Sequence, residues 1–158
     1  MANTQAMCTS FMGELLTATH NFGVAPVRAA TTADTFKAAL YLTSATINAS
    51  TTAYSATGEV SGTNYTAGGV AVTNATVPAS TNTSATAGVA YWTPSASITY
   101  TNVTLSTAFD TVLIYNSTQS DKAVSVHTFG SQTITAGTFT LTMPSNTTST
   151  ALLRLATT

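Results

Sequence analysis

The chain has 158 residues, a formal net charge of −1 and only 6% charged residues. That length suits one domain with a single sizeable core. Its cations Arg28, Lys37, Lys122 and Arg154 are too few and too scattered to form the basic stripe that phosphate neutralisation requires, so no nucleic-acid partner is expected.

About a quarter of the residues are threonine, with serine and alanine filling much of the rest, so solubility comes from hydroxyls rather than from charge. Threonine is β-branched and suits a pleated, half-exposed surface. Such a surface lacks the charged residues that keep strand edges apart, which predicts that some edges are covered by copies of the chain or by a larger assembly. Cys8 is the only cysteine, so no internal disulfide and no thiolate metal cluster is expected. The first residues lack a basic region, an apolar run and a small-residue cleavage site, and no stretch approaches about twenty apolar residues. Synthesis in the cytoplasm and no membrane partner are therefore expected.

Residues 4–21 carry the one helical period. Met7, Phe11, Leu15 and Ala18 follow one stripe, which Cys8, Met12 and Leu16 widen, and Gly23 and Pro26 close it. The spacing predicts an amphipathic helix that either lies on its own domain or docks on a neighbour as an arm. Residues 35–42 alternate Phe36, Ala38, Leu40 and Leu42 against Lys37, Ala39 and Tyr41, a strand with one face inward. Residues 43–57 read as a long loop with a short strand near Ala53.

Gly62, Gly68 and Gly69 surround Tyr65 ahead of Val70 and Val72, a loop or bulge entering a strand; without a Lys-Ser/Thr pair they do not read as a phosphate loop. Residues 74–88 are of low complexity and read as an exposed loop. Extended structure resumes at residues 89–92, and Trp92 is expected to anchor the core or a subunit contact. Residues 97–105 read as a further strand.

The clearest β signal lies in residues 110–144. Val112 and Ile114 face Val124 and Val126 across a polar break at residues 116–121, a hairpin. Residues 131–135 and 138–143 then flank Ala136 and Gly137, which reads as a second tight reversal, and Pro144 ends the ladder. Residues 149–156 read as a closing strand in preference to a helix. The sum is a mainly β fold: an antiparallel β-sandwich or jelly roll of about eight strands with one N-terminal helix, divided into residues 1–27 as helix or arm and residues 28–158 as the sandwich. Its expected core is Phe36, Leu40, Leu42, Val112, Ile114, Val124, Val126, Phe139 and Leu141.

Catalytic chemistry finds little to work with. Asp34, Glu59, Asp110 and Asp121 show no acid/base spacing, His20 and His127 have no companion ligands, and no serine stands in a Gly-x-Ser-x-Gly setting. The expectation is no enzyme, no cofactor and no metal. Seven asparagines, at 48, 64, 74, 82, 102, 116 and 146, fit the glycosylation pattern, but serine and threonine are abundant enough for that by chance; they read as turn and strand-end residues that tolerate positive φ.

Residues 34–41 (DTFKAALY), 52–54 (TAY), 58–60 (GEV) and 62–69 (GTNYTAGG), with 113–116 (LIYN), 123–126 (AVSV), Phe129-Gly130 and 139–144 (FTLTMP), resemble a family of small virion proteins of tailed bacteriophages. The resemblance implies a structural role, foremost as a capsid decoration or cement protein, otherwise as a tail, neck or fibre component. It implies the major capsid protein and copies of the chain itself as partners, with a trimer favoured, and a place on the capsid surface after synthesis in the host cytoplasm. Candidate interface residues are Met7, Cys8, Phe11, Met12, Leu15, Leu16 and Trp92. A carbohydrate-binding module is the reading from another class, and Tyr91, Trp92 and Tyr100 would be its aromatic platform.

Overall fold

The computed structural model describes residues 3–16, 19–20, 22, 33–73, 78–81 and 88–156, without the side chains of residues 9, 12, 13 and 16. Its organising element is one hairpin of two long strands, β6 (Ile98–Asn116) and β7 (Lys122–Leu141), of 19 and 20 residues. The polar break between them is the turn. Ser120 and Asp121 take φ of 55° and 56°. The Asn116 side-chain oxygen accepts the backbone N–H groups of Thr118 and Gln119 at 3.1 and 3.2 Å, a local bond that asparagine is built to make.

The arms pair from Asn116↔Lys122 to Ile98↔Leu141. A straight strand of that length would span about 65 Å at roughly 3.3 Å per residue. Register shifts between Tyr100 and Thr111 break the ladder into shorter segments. One of them corrects the sequence reading. The second reversal expected at Ala136 and Gly137 is absent, and β7 runs straight through it. Ala136 takes φ 46° and its N–H donates to the Thr104 hydroxyl at 3.0 Å. Glycine next to a left-handed residue marks a bulge here, because residues 98–105 supply a partner strand on both sides of it.

Strand β2 (Phe36–Leu42) pairs with β6, β3 (Val70–Ala71) with β2, and β1 (Ala6–Met7) with β7, giving the order β1-β7-β6-β2-β3. A second sheet has the order β4-β5-β8, from β4 (Ala79–Ser80), β5 (Val89–Trp92) and β8 (Leu153–Ala156). All these pairs are antiparallel, so the chain is mainly β with antiparallel sheets. Strands β2 and β5 lie where the sequence places them, and β8 takes only the second half of the expected residues 149–156. Ala79 and Ser80, expected in a loop, pair with β5 instead; residues 74–77 and 82–87 of that segment lie outside the described residues. Residues 43–69 contribute single bridges at Ala53, Glu59 and Thr63.

Phe36, Leu40, Val112, Ile114, Val124 and Val126 are buried as expected, while Leu42, Phe139 and Leu141 pack partly buried against them. The alternation undercounts the core, since residues 111–116 and 123–126 are all buried. The cause is a second cover. Residues 43–69 close over the face that carries Tyr41 and Tyr115. The Tyr41 hydroxyl donates to the Ser55 carbonyl at 2.6 Å and Tyr115 to the Gly68 carbonyl at 2.7 Å, and Tyr54 stacks on Tyr115 at 4.8 Å.

The long N-terminal helix expected over residues 4–21 is not seen. In its place stand β1 and an eight-residue helical segment, α1 (Thr9–Leu16). The Cys8 N–H donates to the Val124 carbonyl of β7 and Thr4 to the Ile47 carbonyl of the covering segment, so the preceding residues are drawn onto the sheet and its cover. Threonines and serines, which compete with a helix for its backbone bonds, make that exchange easy. Gly23 and Pro26, the expected stop signals, lie outside the described residues.

Gly69 shows how close the covering loop runs to the sheet. It takes φ +72°, and a Cβ there would sit 1.7 Å from the Ala38 carbonyl oxygen. Gly69→Ala should therefore cost about 3 kcal/mol or more. Gly130, whose added Cβ would meet nothing within 4 Å, should accept alanine with a change of at most about 1 kcal/mol. Denaturant melts of the two variants check this, and equal effects would refute the close approach.

Candidate functional site

The candidate interface residues converge more than their spacing suggests. Met7 lies on β1, opposite Ser125 of β7. Phe11, on α1, is 2% exposed and meets Phe22 edge-on at 5.8 Å. Phe22 stacks on Phe36 at 4.4 Å and meets Trp92 edge-on at 4.7 Å. Trp92 is therefore an aromatic anchor between the two sheets. Met7, Phe11, Leu15 and Trp92 together line an apolar cavity of about 90 Å³, which Phe22, Pro78, Ala90, Tyr91, Leu153 and Leu155 complete. Cys8 is fully buried, and burial, helped by the Glu14 carboxylate, pushes its thiol up to about 11. It is an inert core residue near neutral pH. The side chains of Met12 and Leu16 lie outside the described residues.

Sequence reasoning missed Phe22, Leu153 and Leu155 as members of this cluster. Pairing of Ala90 with Leu155 and of Trp92 with Leu153 brings β8 under the N-terminal segment, and no local signal encodes that pairing. Leu155, 39% exposed, is the exposed large hydrophobic residue of the described chain.

Beside the cavity runs a polar network. His20 Nε2 lies 2.6 Å from Glu14, and Lys122 Nζ donates to the other Glu14 oxygen at 2.8 Å. The Asn116 amide nitrogen lies 3.0 Å from His20 Nδ1 and 2.8 Å from Asp34. Because the Asn116 oxygen is held by two backbone N–H groups, its NH2 faces His20, so Nδ1 accepts and Nε2–H donates to Glu14. Burial disfavours the imidazolium and outweighs the Glu14 carboxylate, lowering the His20 pKa. Burial also opposes ionisation of Glu14, but hydrogen bonds from Lys122 and His20 prevail and hold its carboxyl below the usual range. Both ring nitrogens are thus committed within the fold.

Glu59 is likewise occupied. Tyr54 and Tyr65 donate to it at 2.6 and 2.7 Å, and the Gly68 N–H at 2.8 Å. Asp110 accepts from Asn3 at 2.8 Å and from Thr111 at 2.7 Å. Among the described residues no group of three or more His, Cys, Asp or Glu side chains could hold a metal ion, and no helix is long and apolar enough to cross a membrane. Of the aromatic platform considered for sugars, Trp92 is 3% and Tyr100 2% exposed, while Tyr91 is half-buried at the rim of the apolar cavity. No protein-family model, curated protein or solved structure matches the chain.

Two outcomes follow from this arrangement. Phe11→Ala should cost about 3–5 kcal/mol in denaturant melts, the scale for emptying a buried aromatic site; a loss under about 1 kcal/mol would place the ring outside the core. His127, bonded to Ser125 at 2.9 Å, has its pKa pushed down from 6.5 to about 4 by burial. Between those values the unfolded chain binds a proton that the native chain refuses. Stability should therefore be complete above about pH 6.5 and fall as pH drops toward about 4. His127→Gln should make the pH profile shallower in that window, and an unchanged slope would show that His127 is not its source.

Proposed function

We propose that this chain is a structural protein of a tailed-bacteriophage virion, a capsid decoration or cement protein that binds the major capsid protein and acts as a homo-oligomer. The observation that carries this reading is the disposition of its few charges. Glu14, Asp34, Glu59 and Asp110 are all bonded to groups of the same chain. What remains outside among the described residues is mainly hydroxyls, with Lys37, Asp121, Lys122 and Arg154 as scattered charges, a surface suited to burial in an assembly rather than to steering a charged ligand. The resemblance of residues 34–69 and 113–144 to small virion proteins supplies the kind of assembly.

In this reading the two sheets are the layers of a β-sandwich joined through Phe22, Phe36 and Trp92. Residues 28–158 are its sandwich domain, and residues 1–27 are an N-terminal element laid against it. The protein needs no cofactor or metal and turns over no substrate. It is made in the host cytoplasm and works on the capsid surface.

Quantitative protein analysis of purified particles tests the proposal. The chain should be present in numbers comparable to the major capsid protein, and shells lacking it should bind the recombinant protein and melt at a higher temperature. Absence from particles overturns the reading. So does a copy number in the range of a tail, neck or fibre part.

A further inference from the structure

The outer edge of β7 is occupied only at its base. β1 pairs there with Ser125 and Val126, and among the described residues no strand follows it along residues 128–141. No charged residue and no proline interrupts that stretch, so two of the usual guards of an exposed strand edge are missing. A third is present in part. The ladder to β6 shifts register at each step from Thr128 to Phe139; the extra residues lie in β7 between Thr128 and Gln132 and between Ile134 and Gly137, which spoils those parts of its edge for pairing, and in β6 at the other two steps. Residues 137–141 stay regular in β7, alternating exposed Thr138 and Thr140 with half-buried Phe139 and Leu141.

We propose that this edge is a self-association site, at which a second copy of the chain adds its own residues 137–141 antiparallel about a twofold axis through Phe139. The proposal rests on the homo-oligomeric part of the reading above. A strand edge of unpaired N–H and C=O groups is completed by another strand, and an antiparallel copy offers the same groups in equal number. Its own side chains fit it. With the axis at Phe139, Thr138 faces Thr140 of the copy, the kind of cross-strand threonine pair the chain already makes between Thr99 and Thr140 at 3.4 Å. Phe139 meets its equivalent, and Leu141 faces Gly137, which leaves room for it. Neither edge carries a charge that would repel the other. The two five-stranded sheets become one continuous sheet. This contact is twofold, whereas the resemblance implies a trimer. The paired segment spans only about 17 Å, so association is reversible and depends on concentration.

Sedimentation of the full chain across a wide concentration range tests the site. Wild type should show a reversible monomer–dimer equilibrium. T138K/T140K, which sets lysines against lysines across the axis, should remain monomeric with an unchanged far-ultraviolet spectrum and cooperative melt. T101K, on an exposed β6 residue away from the edge, should dimerise like wild type. Mixing T138C with T140C chains under oxidising conditions should give a cross-linked dimer. A wild-type monomer at the highest concentration reached, or a T138K/T140K dimer, overturns the proposal. If wild type is monomeric yet only T138K/T140K fails to bind shells, the edge takes a foreign strand and self-pairing is wrong. If the edge dimer forms but the chain is absent from particles, the pairing stands and the virion reading fails.

Discussion

Everything in this fold depends on the pairing of β6 with β7. Two strands of 19 and 20 residues commit about a quarter of the chain to one ladder, and β1, α1, β2 and β3 are all placed against it, while β4, β5 and β8 form the second sheet. β2 and β1 flank its turn-proximal half, and residues 43–69 cover one face there. An isolated hairpin is marginal in water because it buries apolar area on too few sides. Here the turn-proximal half is wrapped on both faces, which is why six consecutive residues of β6 and four of β7 are all buried. The distal half is wrapped on one face only, with Tyr100, Val103 and Leu105 inward and threonines outward.

Wrapping both faces of a sheet buries polar groups, and the fold answers with phenols. Tyr41, Tyr100 and Tyr115 each extend a hydroxyl from the core to a backbone carbonyl, at 2.6, 2.8 and 2.7 Å. Each supplies large apolar area and satisfies an acceptor of the covering loop or sheet in one step. Glu59 takes the donors that remain, from Tyr54, Tyr65 and the Gly68 N–H. The carboxylate thus acts as a structural acceptor that ties residues 54–68 of the covering segment to one another. Asn116 does the same at the hairpin turn, where its oxygen caps two N–H groups while its nitrogen joins His20 to Asp34.

Much of this was legible in the sequence, and the failures have a common origin. The strand over residues 36–42 and the turn at residues 116–121 are local signals, and both stand; the single inward face read for that strand does not, since Ala39 and Tyr41 are buried as fully as Ala38 and Leu40. The N-terminal stripe was read at helical spacing, but Met7, Cys8 and Phe11 serve a sheet edge and a core pocket as well as they would serve a helix. Ala136 and Gly137 were read as a reversal because a glycine after a short strand looks the same at a turn and at a bulge; only the partner strand distinguishes them. The aromatic and polar clusters were invisible for the same reason. His20 and Asn116 are 96 residues apart, and Asn116 and Asp34 are 82 apart. Asn64 and Asn102 were legible in kind, since both take positive φ, at 61° and 51°.

Low charge and an internal use of that charge constrain each other. A chain with nine charged residues that ties four of its five carboxylates into its own structure has little left for keeping copies apart. Bulges must then do what surface lysines do elsewhere, and two irregularities along β7 shorten the edge that another strand could use. The remaining regular segment ends at Leu141, before Pro144. A short unguarded edge between a bulge and a proline permits pairing of limited length. That is the difference between a surface that aggregates and one that joins a defined partner.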